Sequence, residues 1–189
     1  MWRGRPRRKR RPPNGPSFAA PANRCYDCQP FSRRSFPVNQ KSPLIIPPPI
    51  LALILILAAW LLTWLLPVPP IVFPFHKQIG SLLLLVGFAI GCSAWWIFVQ
   101  RKTPLRPGQL PRAFVESGPY RFTRNPMYLG SVILLLGLFF VARSWYFLIP
   151  PVLFFALINS ILIPFEEELM HQTFGVPYDD YRRKVRRWI

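Results

Sequence analysis

The chain has 189 residues, of which 51% are hydrophobic, 15% aromatic and 16% charged, and its 24 Lys and Arg against 7 Asp and Glu give a net charge of +17. That balance fits one small membrane domain with a tail, and three Cys give no sign of a disulfide framework. The basic excess invites a nucleic-acid reading, which the placement of the charges argues against.

In chain order, residues Met1 to Pro43 form a separate region with a basic block from Arg7 to Arg11, several Pro and Asp27 as its sole acid. Such a segment is expected to be disordered. It carries no apolar core of about 7 to 15 residues before a cleavage site, so it is not an ordinary secretory signal, although an Arg-rich, acid-poor start also suits a transit sequence. Cys25 and Cys28 form a lone CxxC without a second ligand pair, which argues against a zinc site, and a redox pair is no better supported. No metal site is expected.

Four apolar runs follow: Leu44 to Leu66, Ile79 to Val99, Met127 to Ala142 and Trp145 to Ile163. A bilayer span needs about 20 residues, and lipid offers the backbone no hydrogen-bond partner, so the runs predict helices. The expected fold is all-α, an integral membrane bundle of about four transmembrane helices with an interfacial helix after them, over residues 44–189. The third run is short and must borrow Thr123 to Pro126 or have its end covered. Eleven Lys and Arg precede Leu44, six lie between Gln100 and Pro126, and five follow Ile163, while only Lys77 and Arg143 lie in the other connections. With four spans the three basic segments share one side, which the positive-inside rule makes cytosolic. There they orient the protein and touch anionic headgroups.

Within the spans, Gly87 and Gly91 make a GxxxG, and Gly130 and Gly137 share a face of the third run, predicting close helix packing, within one chain or between two copies, with the within-chain contact the simpler reading. Cys92 is expected to serve packing. Ala142-Arg143-Ser144 leaves room for a tight turn, hence an antiparallel hairpin, and Pro150 and Pro151 predict a kink near the start of the fourth span.

Between the second and third spans lies Gly118-Pro119-Tyr120-Arg121-Phe122-Thr123-Arg124-Asn125-Pro126-Met127-Tyr128-Leu129-Gly130, a polar elbow opening into an apolar run. Gly118-Pro119 marks a turn. Asn125-Pro126 reads as a helix start, with Asn capping free N–H groups and Pro at the first helical position. Arg121, Arg124, Tyr120 and Tyr128 are common interfacial anchors. Each residue has a structural explanation alone. Together they set a helix N-terminus between two Arg, an arrangement that binds carboxylates.

The second polar segment is Pro164-Phe165-Glu166-Glu167-Glu168-Leu169-Met170-His171-Gln172-Thr173-Phe174-Gly175. Three of the chain's seven acids stand together at a membrane boundary, where ionisable groups are functional candidates. On a helix they point about 100° apart, so that Glu167 aligns with His171 and Phe174, Glu166 with Met170 and Thr173, and one Glu faces water. A further short helix is predicted after Gly175, with Pro177 at its start, Asp179 and Asp180 in its first turn, and Arg186 and Arg187 at its end. Tyr181, Val185 and Trp188 would share its membrane face.

At these two blocks the chain resembles the integral-membrane methyltransferases of the isoprenylcysteine carboxyl methyltransferase and phospholipid N-methyltransferase type. The resemblance rests on Gly118 to Gly130, on Glu166-Glu167 followed by Phe174-Gly175, Tyr178, Tyr181 and Trp188, and on Lys102-Thr103-Pro104, and so covers Gln100 to Ile189. It implies S-adenosyl-L-methionine as methyl donor. Tyr120, Arg121, Arg124, Asn125, Pro126, Tyr128, Leu129 and Gly130 would line the cofactor pocket, Glu166 and Glu167 would close it, and Arg124 and Glu167 would carry the catalytic roles. Many members carry His where this chain has Asn125, which can hydrogen-bond but not take a proton. The implied reaction is methyl transfer to a carboxylate, amine or thiol of a lipid-like acceptor at the cytosolic face, with a bacterial cytoplasmic membrane as the expected setting, membrane lipids as partners and no nucleic acid.

The residues support this independently. A sulfonium cofactor with a zwitterionic tail needs a carboxylate or aromatic faces near its cation, and N–H groups or Arg at its carboxylate. No GxGxxG follows a strand, so a Rossmann route is excluded. Two rivals share part of the pattern. Membrane sterol and enoyl reductases carry a similar Arg-x-Pro-x-Tyr-x-Gly elbow with a nicotinamide cofactor, and a membrane scaffold would need none.

Overall fold

A computed structural model describes residues 43–44, 46–72, 74–100 and 115–189. Contacts divide the chain into Met1–Arg34 and Ser35–Ile189, and every described residue belongs to the second. The basic tail with Cys25 and Cys28, and Lys102-Thr103-Pro104, lie outside the described residues.

All regular structure among the described residues is helical. Helix α1 (Pro48–Leu65) opens on prolines, which suit a first turn because their missing N–H has no acceptor there. Helix α2 runs His76–Gln100, and α3 is the 17-residue Pro126–Ala142. Beyond it, a 3₁₀ turn (Trp145–Leu148), α4 (Ile149–Leu157), a π turn (Ile158–Leu162) and α5 (Ile163–Phe174) join into one helical rod of 30 residues, Trp145–Phe174. Helix α6 is Val176–Lys184. Three helices are long and apolar enough to cross a membrane, Pro48–Leu65, His76–Ile97 and Trp145–Phe174, with α3 a shorter apolar companion. At 1.5 Å per residue the rod is about 45 Å long against roughly 30 Å of hydrocarbon. The rod therefore has length to spare, and its polar end, from Glu166 onward, is the part able to project.

Helix α3 is packed against α2 on one side and α4 on another, while α1 lies on the start of the rod. The α2–α3 seam is made by glycine. A Cβ built on Gly130 would stand 2.7 Å from the Gly87 carbonyl oxygen and 2.9 Å from the Gly91 nitrogen, and one on Gly137 would stand 2.9 Å from Leu84 N. The backbones therefore touch, the close approach that the small-residue spacing predicts, and the contact lies within one chain. Between α1, α3 and the rod, Leu51, Leu135, Phe154, Ile158, Leu162 and Ile163 form the buried core. Outward, Leu57, Trp60, Trp64, Leu85, Phe88 and Trp96 are exposed, the surface expected where lipid replaces water.

One end of the bundle is fixed by the α3–α4 turn. Arg143, in the left-handed region at φ 55°, accepts from Ile71 N–H at its carbonyl (2.9 Å) and donates from Nε to the Ile71 carbonyl (3.1 Å). The Thr63 and Ser144 hydroxyls are 2.9 Å apart. The end of α1, the approach to α2 and the tight turn therefore gather together, and the elbow, α5 and α6 occupy the other end.

Four expectations are corrected. Pro150 and Pro151 stand in the first turn of α4, where Pro is tolerated, and the irregularity inside the rod is the π turn eight residues on. Cys92 is exposed rather than buried in a packed seam. Helix α6 ends at Lys184, with Val185 extended at φ −115° and ψ 130°, so Arg186, Arg187 and Trp188 belong to a non-helical segment. The fourth correction, at Asn125, belongs to the site.

Candidate active site

The elbow begins with a 3₁₀ turn, Gly118–Arg121, in which Gly118 takes φ 62° and brings Tyr120 inward against Ala94 and Val115. Burial, with Tyr181 and Glu166 adding, holds the Tyr120 phenol well above its ordinary range. Tyr181 of α6 donates from its hydroxyl to the Tyr120 carbonyl at 2.7 Å, so α6 is pinned to the elbow from inside. Gly175 permits this docking, because the α5–α6 corner needs φ 60° and ψ −129°, a conformation reserved for glycine.

Asn125 occupies the residue before α3, but its side chain makes no capping bond. Its Nδ2 donates instead to the Arg187 carbonyl at 3.1 Å, and its own N–H donates to Thr123 Oγ1 at 3.2 Å. Thr123 Oγ1 donates to the same Arg187 carbonyl at 3.1 Å, and Arg124 N–H to the Arg186 carbonyl at 3.0 Å. The capping role is thus overturned by a stronger claim on the amide, the chain segment after α6. Helix α3 is left with first-turn N–H groups that no side chain caps.

The two glutamates of α5 divide sharply. Glu167, buried, meets two guanidinium groups: Arg124 Nη1 at 2.8 Å from Oε1, and Arg187 through Nε at 3.1 Å to Oε1 and Nη2 at 2.7 Å to Oε2. That hydrogen bonding raises Arg187 above its ordinary value. Glu166, half-buried, accepts one hydrogen bond from the Tyr128 hydroxyl at 2.9 Å and pairs with no cation among the described residues. Glu168 is exposed and accepts from Gln172 at 2.8 Å, the outward-facing member of the triplet. The Arg124–Glu167–Arg187 cluster carries one excess positive charge beside a carboxyl group that has no cation partner among the described residues. Tyr178 joins it, its phenol raised by burial and by Glu167 and lowered in turn by Arg124.

Of the residues singled out in the sequence, Tyr120, Arg124, Asn125, Tyr128, Glu166 and Glu167 converge here. Pro126 is fully buried at the start of α3. Arg121 is exposed and outside the cluster, Leu129 is half-buried on α3, and Gly130 stands in the α2 seam, where close approach accounts for it. His171 faces Asp179 at 2.9 Å near the surface, tying α5 to α6. Sequence reading missed Thr123, Arg187 and Asn159. Asn159 lies in the π turn and accepts from Trp188 Nε1 at 3.0 Å, while the Trp188 ring lies 4.8 Å from Phe155. A signal for it existed, since Asn159-Ser160 is the polar interruption of the fourth apolar run. For Arg187 no local signal exists, because its partners are 20 and more residues away.

The described residues form an all-helical bundle, three of whose helices are long and apolar enough to cross a membrane, with an Arg-flanked helix start and paired glutamates at its polar end. Residues 75–176 match the phospholipid methyltransferase family, and with more than half of its length inside that match the chain belongs to this family of membrane methyltransferases. The chain matches no curated protein.

Proposed function

We propose that the protein transfers a methyl group from S-adenosyl-L-methionine to a lipophilic acceptor at the cytosolic face of a membrane. The observation that carries this reading is the division between Glu166, a carboxyl group with no cation partner among the described residues, and the net positive Arg124–Glu167–Arg187 cluster one residue along. The residues fit the donor. Arg124 is 11% exposed at its side chain, its Nη1 faces Glu167, and its Nε has no hydrogen-bond partner among the described residues, so guanidinium capacity remains for the donor's carboxylate beside the start of α3. Glu166, with Tyr120 and Tyr128 around it, suits the sulfonium side. Members of the family use S-adenosylmethionine. The bound donor supplies an electrophilic methyl carbon: as an acceptor lone pair takes it, the carbon–sulfur electron pair returns to sulfur, and an amine or thiol acceptor also gives up its proton.

What the chain's own groups contribute is orientation and exclusion of water, since methyl displacement requires in-line approach and little covalent help. Tyr128 and Glu166 lie at the junction of α3 and the rod, where an acceptor whose apolar part stays in hydrocarbon would arrive sideways. Family membership supports a lipid acceptor, and an isoprenylcysteine-like carboxylate is a second acceptor of the same lipophilic kind. The clustering of Lys and Arg supports a cytosolic setting for this end by the positive-inside rule.

Purified protein heated with S-adenosylhomocysteine should melt higher than alone, and should show no shift with reduced nicotinamide dinucleotide, because a ligand that binds the folded state alone raises the melting temperature. A shift with the dinucleotide only would reassign the site to a reductase. Membranes incubated with methyl-labelled donor then identify the acceptor by the molecule that becomes labelled.

A further inference from the structure

Residues 185–188 are fastened to the site without the Arg187 side chain. The Arg186 carbonyl accepts from Arg124 N–H at 3.0 Å, the Arg187 carbonyl accepts from Thr123 and Asn125 at 3.1 Å each, and Trp188 donates to Asn159 at 3.0 Å. The Arg187 guanidinium nevertheless turns inward and takes both oxygens of Glu167. A part-buried ion pair adds little net stability once its desolvation is counted, so the consequence of this fork lies in what it does to the carboxylate.

A two-pronged Arg–carboxylate bond fixes the plane of the carboxylate as well as its charge. Held that way, Glu167 presents a single oxygen to Arg124, near Nη1 at 2.8 Å but outside hydrogen-bonding alignment, and Arg124 Nε is left without a partner among the described residues. Were the fork absent, Glu167 would be free to rotate and pair with Arg124 through both oxygens, consuming the donors that an incoming anion needs.

We propose that Arg187 is a positioning residue of the donor site, holding Glu167 in an orientation that keeps Arg124 available to the donor's carboxylate. This rests on the reading of the cluster as a donor site.

The test compares wild type, Arg187→Met, Arg187→Lys, Glu167→Gln and the Glu167→Gln/Arg187→Met double variant as full-length protein in detergent, measuring the dissociation constant for S-adenosylhomocysteine and the melting temperature without ligand. Arg187→Met preserves the stem and the carbonyl anchors. It should melt near wild type yet bind about tenfold more weakly. Arg187→Lys, which keeps charge but cannot fork, should bind more weakly than wild type as well. In the Glu167→Gln background Arg187→Met should cost nothing further, because no carboxylate remains to be oriented. Wild-type affinity in Arg187→Met, or an equal additional loss in the double variant, overturns the inference. Should Arg187→Met fail to fold, wild-type affinity in Arg187→Lys overturns it equally. Absence of binding by the wild type itself would instead overturn the donor reading, a failure visible before any variant is compared.

Discussion

Asn125 shows how a residue can be right in place and wrong in role. Asn and Asp rank together as helix caps, so a capping Asn125 would tolerate Asp. Here Nδ2 donates to the Arg187 carbonyl, and Asp has no donor to offer. Asn125→Asp should therefore destabilise the fold by about 1 to 3 kcal/mol, read as a lower melting temperature; unchanged stability would restore the capping role. At the neighbouring cluster, Glu167→Gln removes the counter-ion shared by two guanidinium groups, and Arg124→Ala removes the guanidinium nearest the α3 start. Each should weaken S-adenosylhomocysteine binding some ten- to hundredfold while the protein elutes as a folded species, a loss of about 1 to 3 kcal/mol. These side chains were legible as types at a boundary. Their pairing was not, since nothing local distinguishes Glu166 from Glu167 until Tyr128 and the two Arg are seen to choose between them.

At the level of elements, the α2–α3 seam separates glycines that the GxxxG pattern treats alike. A Cβ at Gly130 would stand 2.7 Å from the Gly87 carbonyl oxygen, whereas one at Gly91 meets nothing within 4 Å. Gly130→Ala should lower stability by roughly 1 to 3 kcal/mol through forced separation of the helices. Gly91→Ala should be neutral or raise it by up to about 1 kcal/mol, the helix-propensity gain. Thermal unfolding of the two variants checks the contrast, and equal losses would mean that the backbones are not in contact at Gly130. The rod is a second lesson in scale. Its prolines look like breakers on paper but fall in a first turn, while Ile158–Leu162, with no Pro or Gly, adopts the π turn that brings Asn159 to Trp188.

For the whole molecule, the bundle has two unlike ends. Arg143 binds the Ile71 carbonyl at one, and the elbow, α5 and α6 are knitted together at the other. Single cysteines at Val72, 86% exposed, and at the exposed Arg182, with Cys25, Cys28 and Cys92 replaced by Ser, should react with a membrane-impermeant maleimide from opposite sides, Val72→Cys in intact cells and Arg182→Cys only after permeabilisation. Labelling of both from one side would contradict the assignment of the basic end to the cytosol. The amino-acid sequence by itself determined the helical membrane architecture, the tight turn at Arg143 and the two polar blocks, because hydrophobic run length, Pro–Gly punctuation and charge placement act locally and survive in a linear reading. Tertiary structure alone decided that residues 185–188 return to the elbow, that Arg187 shares Glu167 with Arg124, and that Glu166 bonds Tyr128 rather than either of those Arg. Those outcomes are choices among competing partners far apart in the chain, and only the folded geometry fixes which donor reaches which acceptor.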